Sequence, residues 1–435
     1  MIETTINLLA LSFLILMGIL LIALPRKYTL VPFFLSALYM TLGQHIVVMG
    51  LNFTIFRILI VIALIRIISR KDVSPIQFNS LDKIIILWGI VAMITGFLLD
   101  FSTNNFDNLQ HSAGQIFSAL GSYFIFRFYI TSIDDIKRVI NILAIIIIPL
   151  AVIFLVEKAT GRNMFSIFGG VPDFTIIRYD RLRCQGPFAH PILAGTLGAT
   201  LMPIFVSSWF GRGGKFIAIL AIASSIIIIL TSASSGPLLA FISAVIALCM
   251  WPLRDRMRII SWGIFLGLIT LHIIMKAPVW YLMGRISQIT GGTGWGRSEL
   301  IDTAISHFNE WWMIGTTKTA HWDSVGVIPQ ENMMDITNQY ILEGVYGGLA
   351  RMLLFMTIIV IGFKFIGKAM KALKNENLAI KFLPWALGAS LFSHSVGYLS
   401  VAYFDQLIIM WCLLLAMISA TSNIPSPDPV KIAAA

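Results

Sequence analysis

The sequence predicts an all-α, polytopic integral membrane protein with about 12–13 transmembrane helices and a large outer-face loop containing short helices. The chain has 435 residues, of which 57% are hydrophobic and only 12% charged, and its mean hydropathy is +0.87. Soluble domains carry about 25% charged residues. Runs such as Ile6–Leu24 and Val139–Val156 reach the ~20 apolar residues that a spanning helix needs. The composition excludes an ordinary soluble domain.

Apolar runs separated by polar breaks predict the spans in chain order. They fall near residues 6–24, 29–50, 53–69, 82–99, 112–130, 137–156, 187–209, 215–231, 235–251, 258–275, 338–366, 380–397 and 404–421. The first run lacks a basic segment before it and precedes Arg26 and Lys27, so it predicts a retained anchor with its N-terminus outside. The three cysteines are far apart and indicate neither a metal site nor a disulfide framework.

Charge in the short loops predicts the topology. Lys and Arg concentrate in alternate loops, around 26–27, 66–71, 137–138, 212–215, 254–258 and 364–381, whereas the loops at 100–111, 232–234 and 398–403 contain neither. The basic loops are therefore predicted to be cytoplasmic, and the net charge of +10 needs no nucleic-acid partner. Arg66, near the end of its span, is expected to snorkel to the cytoplasmic surface.

Six segments follow from this topology. They are N-terminal transmembrane helices (1–156), an outer loop with an arginine cluster (157–186), central transmembrane helices (187–275), a large periplasmic loop (276–337), C-terminal transmembrane helices (338–421) and a mobile tail (422–435).

Both long outer loops carry arginines, unlike the short outer loops. Arg178, Arg181 and Arg183 lie within six residues just before a predicted span, and Arg297 lies in the second loop. Long loops are exempt from the topology rule, so these residues can be ordinary solvated side chains. The alternative is an anion site that faces outward, because guanidinium groups bind phosphate through bidentate hydrogen bonds. Arg57, near the outer end of its span, is a further candidate for this site.

The second loop predicts a helix over Ser298–Trp312, because its apolar residues recur at helical spacing after a plausible start at Ser298. Trp311, Trp312 and Trp322 lie in or after it. Tryptophans beside polar groups are typical of the membrane interface, and they also suit stacking on sugar rings. Both interpretations stay open.

Asp335, Gln339 and Glu343 are spaced four residues apart at the start of the next predicted span, and therefore share one stripe of a helix. Glu343 lies about one turn inside the apolar run, where an ionisable side chain is costly and is usually functional or paired. The alternative is a packing helix in which Glu343 pairs with a structural arginine, since Gly344, Gly347 and Gly348 would allow close packing.

Several of these motifs resemble the O-antigen ligase and O-antigen polymerase superfamily over roughly residues 180–420. They are Arg183-x-x-Gly186-Pro-Phe-x-x-Pro191, Thr231-Ser-x-Ser-Ser-Gly236, Arg297 followed by a helix ending in Trp-x-x-Gly, and Asn338-x-Tyr340-x-x-Glu343-Gly344-x-x-Gly347. The earlier spans agree only in architecture. The order of the motifs and their predicted outer-face positions carry the resemblance.

The resemblance implies a metal-independent glycosyltransferase of the bacterial inner membrane that needs no cofactor. Such enzymes take a glycan from an undecaprenyl diphosphate carrier on the periplasmic face and pass it to a hydroxyl group. The arginines (Arg178, Arg181, Arg183 and Arg297) would bind the diphosphate, and a base would activate the acceptor. Fixed arginines would stabilise the charge that develops on a departing diphosphate.

One position departs from the ligase pattern. Ligases of this superfamily place a histidine immediately before the residue that matches Asn338, and Thr337 occupies that position here. The catalytic candidates are therefore Glu343 and Asp335, with Asn338 and Thr337 beside them. Desolvation at a membrane boundary raises a carboxylate pKa toward the working range of a base. The missing histidine favours a polymerase of O-antigen, capsule or exopolysaccharide repeats over a ligase.

The remaining expectations concern substrate and partners. Five residues are candidates for substrate binding: His190, His321, Trp312, Trp322 and Tyr340. The expected partners are the carrier-linked glycan, membrane lipids and, from the pathway, a flippase and a chain-length regulator. A flippase for a lipid-linked sugar is the alternative from another class. It would favour inverted repeats and broken helices, and the sequence indicates neither.

Overall fold

The computed structural model describes residues 4–48, 51–70, 76–103, 107–211, 214–285, 294–322, 334–404 and 406–423, so most of the predicted tail lies outside the described residues. The fold is mostly helical, as predicted. The described α-helices are α1 Leu8–Ala23, α2 Val31–Tyr39, α3 Ile55–Arg70, α4 Ser80–Thr103, α5 Asp107–Tyr129, α6 Ile133–Thr160, α7 Pro191–Ser208, α8 Lys215–Thr231, α9 Ser235–Cys249, α10 Met257–Ile274, α11 Gly294–Ser306, α12 Phe308–Trp311, α13 Gln339–Ala372, α14 Leu378–Gly397 and α15 Gln406–Ala420. The strands are β1 Thr4–Thr5, β2 Gln44–Val48, β3 Leu51–Thr54, β4 Ile176–Arg178 and β5 Arg181–Arg183.

Five helical segments of the described chain are long and apolar enough to cross a membrane. They are Ser80–Phe101, Ile133–Thr160, Pro191–Ser208, Trp251–Ile274 and Gln339–Ala372. Shorter apolar helices of 10–17 residues are Leu8–Ala23, Lys215–Thr231, Ser235–Cys249 and Gln406–Ala420. Helix α7 lies at the centre of the bundle, where it packs against α8, α9 and α14 and 83% of its residues are buried.

The predicted span at 29–50 is wrong as a single helix. Helix α2 ends at Tyr39, and β2 then pairs antiparallel with β3, with Ile46 opposite Phe53. A nine-residue helix is about 13 Å long, well short of a bilayer. The β-branched run Ile46–Val48 favours a strand, and hydropathy alone does not distinguish an apolar strand from an apolar helix.

The predicted helix over Ser298–Trp312 is divided in two. Helix α11 runs from Gly294 to Ser306, and α12 follows after His307, whose ψ of 21° interrupts the helix. Ser298 therefore lies inside α11, where its hydroxyl donates to the carbonyl of Gly294 at 3.0 Å. Arg297 is consequently a helical residue and does not precede the helix.

Helix α13 is broken at Gly347 and Gly348, contrary to the expectation of unbroken helices. Gly348 has a φ of +71°, a conformation that L side chains rarely adopt. The segment that follows α12 fills the break: Thr316 N donates to Val345 O at 2.8 Å, and Leu349 N donates to Trp312 O at 2.7 Å. Backbone groups that the break exposes are thereby satisfied, as an apolar environment requires.

Two buried arginines stabilise the bundle. Arg127 forms a buried ion pair with Asp82, at 3.0 Å between Nε and Oδ1, which links α5 to α4. Arg66 is 2% exposed and its Nη1 donates to the carbonyls of Leu21 and Ile22 at the end of α1. The Arg66 guanidinium therefore caps the end of α1, whose last carbonyls have no partner within their own helix, and does not extend into solvent.

Candidate functional site

The first arginine cluster is built on a β-hairpin. Strands β4 and β5 are joined by Tyr179 and Asp180, both with positive φ (50° and 55°), as in the two-residue turns that match strand twist. The register pairs Arg178 with Arg181 and Ile176 with Arg183. Side chains alternate between the faces of a strand, so all three arginines of the hairpin project from one face.

Arg183 lies at the inner end of this face, where it is only 7% exposed. Its Nη2 donates to Ser234 Oγ at 2.7 Å, and the next residue docks on α8 through a 3.0 Å bond from Cys184 N to Thr231 O. Among the described residues, its buried Nε has no hydrogen-bond acceptor. A buried donor without a partner is costly, and it marks a position at which a ligand can accept a hydrogen bond.

Arg297 reaches the same place from the second loop. A Cβ at Gly236 would lie 3.5 Å from Arg297 Nη2 and 2.7 Å from Ser400 Oγ, so the guanidinium lies against the start of α9. Three hydrogen bonds hold α11 in this position. Asp302 accepts hydrogen bonds from Trp280 and Tyr281, and Ser298 donates to Trp280 O at 3.0 Å.

The electrostatics show that the two loops converge. Burial, followed by the charges of Arg178 and Arg183, lowers the pKa of Arg297 to about 10. The pKa of Arg183 is lowered by burial and by Arg178. Within the described part of the chain, no carboxylate forms an ion pair with any of these three. Arg178, Arg183 and Arg297, which we call the arginine site, therefore form a positively charged group without an acidic partner.

His190 lies beside the arginine site at the N-cap of α7. Burial, followed by the charges of Arg183 and Arg178, lowers its pKa to about 4, so it is neutral at pH 7. Its Nδ1 accepts a hydrogen bond from Ile192 N at 3.2 Å, which assigns the proton to Nε2. His190 can therefore donate a hydrogen bond to an anion, and its Nδ1 is not available as a base.

The N-terminus of α9 also faces the arginine site. Its N-cap Ser234 makes no side-chain capping bond, because its hydroxyl is engaged with Arg183 and with Ser232 O. Helix N-termini favour anions through their free amides and dipole. The sequence motif 231–236 pointed to this segment, whereas nothing in the sequence assigned Ser234 or Ser400 as neighbours of the arginines.

A residue that sequence reasoning missed, Glu157, holds the first loop in place. Its carboxylate is fully buried and accepts hydrogen bonds from Gln185 N at 3.0 Å, Gly186 N at 2.9 Å and Thr175 Oγ1 at 3.2 Å. These bonds tie the end of α6 to the chain directly after Arg183. A glutamate at the end of an apolar run was a visible signal, since such a residue is usually paired or functional.

Glu343 lies in a second polar cluster. Its carboxylate is 3% exposed and accepts from Arg351 Nε at 2.7 Å, Trp88 Nε1 at 2.9 Å and Gln339 Nε2 at 2.8 Å. A cavity of about 60 Å³ lies beside it. This arrangement matches the alternative interpretation, in which Glu343 pairs with a structural arginine.

The other residues at the start of α13 are placed individually. Asn338 is the N-cap, since its Oδ1 accepts from Tyr340 N at 3.0 Å and Ile341 N at 3.2 Å. Tyr340 donates to Ser395 O at 2.9 Å and packs on Phe355 and Tyr398. Asp335 lies before the helix, so the predicted stripe with Gln339 does not form.

Asp335 is the carboxylate of this region that reaches solvent. Desolvation by its surroundings raises its pKa above the ordinary aspartate value. Thr337 is half-buried beside it. Neither Asp335 nor Thr337 forms a hydrogen bond with another described side chain.

The remaining predicted residues separate into two groups. Arg181 and Trp312 are exposed, and Trp312 stacks near Phe308. His321 and Trp322 both contact Glu310 of the second loop. Arg57, the further candidate, donates to Ser118 on α5 at 3.1 Å and lies against Gly114.

The segment 398–404 connects the arginine site with the Glu343 cluster. Ser400 touches Gly236, while Tyr398 O accepts from Gln339 N at 2.9 Å and Tyr403 N donates to Gln339 Oε1 at 2.6 Å. The start of α13 is thus fixed to the same short loop that borders the arginines. The arrangement can bind a polyanion at the arginines, with Asp335 in the segment just before α13.

No protein-family model matches the chain, and no curated protein matches its sequence.

Proposed function

We propose that this protein is a membrane glycosyltransferase that polymerises O-antigen, capsule or exopolysaccharide repeats, taking the glycan from an undecaprenyl diphosphate carrier. The observation that carries the proposal is the arginine site, in which Arg178, Arg183 and Arg297 from two distant loops converge with no acidic partner among the described residues. Like charges are brought together at a cost, and a bound diphosphate would remove that cost.

The chemistry of diphosphate departure suits these groups. When the glycosidic bond breaks, negative charge accumulates on the leaving diphosphate, and preorganised donors stabilise it. Arg183 offers its unpartnered Nε, His190 its Nε2 proton, and α9 its first amides. In the proposed topology the chain crosses the bacterial inner membrane about 12–13 times, with this site on the periplasmic face.

Asp335 is the proposed base that activates the acceptor hydroxyl. A base must be free to accept a proton, and Glu343 is engaged by three donors. Asp335 accepts no side-chain hydrogen bond from the described residues, and its raised pKa brings it closer to the range in which a general base is effective. Thr337, where the ligase pattern has histidine, would orient the acceptor.

Two other functions remain candidates. A ligase that transfers the glycan to lipid A core would share the donor and the arginine site. A lipid-linked oligosaccharide flippase is favoured by one specific observation, the break in α13 at Gly347 and Gly348, since broken helices are frequent in transporters.

The deciding experiment uses purified protein in nanodiscs with undecaprenyl-diphosphate-linked repeat units. Wild-type protein should lengthen the carrier-linked glycan and release undecaprenyl diphosphate, and Arg297→Ala should lower the rate by at least about 100-fold. Arg162→Ala is the matched control, because Arg162 is an exposed arginine of the first outer loop. Lysine at position 297 should rescue only part of the rate, since it cannot bind phosphate bidentately.

Three results would overturn this assignment. Equal loss in Arg297→Ala and Arg162→Ala would show that outer-loop charge in general, and not the arginine site, supports the activity. If folded wild-type protein does not lengthen the carrier-linked glycan but transfers it to added lipid A core, the protein is a ligase. Movement of the carrier-linked glycan across the bilayer without transfer would indicate a flippase.

A further inference from the structure

The large outer loop brings two histidines and a glutamate together at a place that the proposed transfer does not use. His307 Nδ1 lies 2.7 Å from Glu310 Oε1, and His321 Nε2 lies 3.0 Å from Glu310 Oε2. One ligand atom from each of the three residues lies within 4.8 Å of the others. His307 and Glu310 are one turn apart around α12, whereas His321 comes from the segment after it.

Trp322 fixes the orientation of this group. It is 2% exposed, its Nε1 donates to Glu310 Oε2 at 3.0 Å, and its indole stacks on the His307 ring with 5.2 Å between centroids. The carboxylate and one imidazole are therefore held by a buried neighbour before any ligand arrives. Such supporting contacts are typical of metal sites, where they orient the ligands.

We propose that His307, Glu310 and His321 form a binding site for a divalent transition metal ion of the zinc class. Two imidazoles and one carboxylate are a ligand set of zinc sites that keep a fourth position for water. Tetrahedral coordination at 2.0–2.1 Å places ligand atoms about 3.3 Å apart, so the observed spacing needs only a small opening. The side chains are 28%, 36% and 54% exposed, which leaves the ion a path from solvent.

A bound ion would also affect the segment that connects its ligands. The segment from Phe308 to Ala320 contains Trp312 and Thr316, whose backbones satisfy the broken ends of α13. An ion bound on both sides of this segment would close it into a short loop and reduce the freedom of the unfolded loop. The site is therefore a clamp that stabilises the contact between the outer loop and α13, independently of any glycosyl transfer.

The competing explanation is a hydrogen-bonded group in which a protonated histidine pairs with Glu310 without metal. The two explanations differ in a direct measurement. Full-length protein, prepared without a histidine tag, would be stripped with chelator in nanodiscs at pH 7.5, titrated with Zn²⁺ alone and analysed for bound zinc after dialysis. We expect one equivalent of zinc and a higher melting temperature with zinc than without.

Three variants locate the ion. His307→Ala and Glu310→Gln should each weaken zinc binding at least 10-fold and remove the zinc-dependent rise in melting temperature. His272→Ala should change neither, because His272 lies on α10, outside the group. Absence of bound zinc in the wild type, or equal binding by wild type and Glu310→Gln, would overturn the proposal. If His307→Ala does not fold, the wild-type stoichiometry and Glu310→Gln still decide it.

Discussion

Asp335 is the proposed catalytic carboxylate, whereas Glu343 is a paired structural one. A substitution of Asp335 tests this difference. Desolvation raises its folded pKa, so the charged form at neutral pH opposes folding, and this effect grows as pH rises through the raised pKa. We therefore expect Asp335→Asn to be at least as stable as wild type at pH 7. If Asp335 is the base, the same variant should lose about 100-fold or more in polymerisation rate.

The pH profile provides the check. Wild-type activity should rise with pH through a pKa above the ordinary aspartate value, because only the carboxylate accepts the proton, and Asp335→Asn should lack this rise. Asp173→Asn is the control, since Asp173 is an exposed carboxylate of the first outer loop. Full activity of Asp335→Asn would remove Asp335 from the mechanism.

The buried pair of Glu343 and Arg351 makes a stability prediction. Both side chains are 4% exposed, so Arg351→Met would leave an uncompensated buried charge and should destabilise the protein by about 3–5 kcal/mol. The double variant Glu343→Gln, Arg351→Met should recover most of that loss, as measured by thermal unfolding in nanodiscs. Should Glu343→Gln alone stay folded but be inactive while Asp335→Asn is active, Glu343 would be the base.

The sequence indicated which residue types carry the chemistry, but it did not indicate which residues lie next to them. Three clustered arginines and a distant Arg297 indicated an anion site, and burial of an ionisable Glu343 indicated a partner. The identity of that partner, Arg351, was not evident, because residues eight apart on a regular helix are separated by about 12 Å along its axis. The break between them allows the 2.7 Å contact.

The break in α13 determines where the loop after α12 is held, because that loop hydrogen-bonds to the backbone at the break. A Cβ at Gly348 would lie 2.4 Å from Met313 O, and the left-handed backbone there costs an ordinary residue about 1–2 kcal/mol. Gly348→Ala should therefore destabilise the protein by more than about 2 kcal/mol and loosen the loop. Limited proteolysis between α12 and α13 should become faster in this variant.

Gly367→Ala is the matched control for that prediction. Gly367 lies in the same helix, and a Cβ there would meet nothing within 4 Å. Alanine in a helix interior is favoured over glycine by about 0.5–1 kcal/mol, so this variant should be slightly more stable than wild type. If both variants behave alike, the break does not require glycine.

Hydropathy predicted the helix positions correctly wherever a single helix occupies a whole apolar run. The prediction of 215–231 coincides with α8, and 380–397 closely matches α14. Prediction failed where the backbone changed conformation within an apolar run, at the end of α2 and at Gly347 and Gly348. Hydropathy reports the surroundings of a segment and not its backbone angles, so these two features had no signal in the averaged pattern.

At the scale of the whole molecule, the proposal requires the arginine site and the basic loops to lie on opposite sides of one membrane. Arg178 is exposed at the proposed outer face, and Asp255 has 78% of its side chain exposed in a basic loop of the proposed inner face. The chain has three cysteines, and only Cys249 is exposed. Replacing it by serine removes the accessible thiol.

Two single cysteines in the Cys249→Ser background test this topology. In intact cells whose outer membrane has been permeabilised, a membrane-impermeant maleimide should label Arg178→Cys and leave Asp255→Cys unlabelled. Inverted vesicles should reverse the result, because the bilayer blocks the charged reagent. Cys184 and Cys412 are buried and provide the unlabelled background. Labelling of Arg178→Cys only in inverted vesicles would place the arginine site on the cytoplasmic face. A diphosphate carrier presented at the periplasmic surface would then have no access to the arginines, and the polymerase and ligase assignments would both fail.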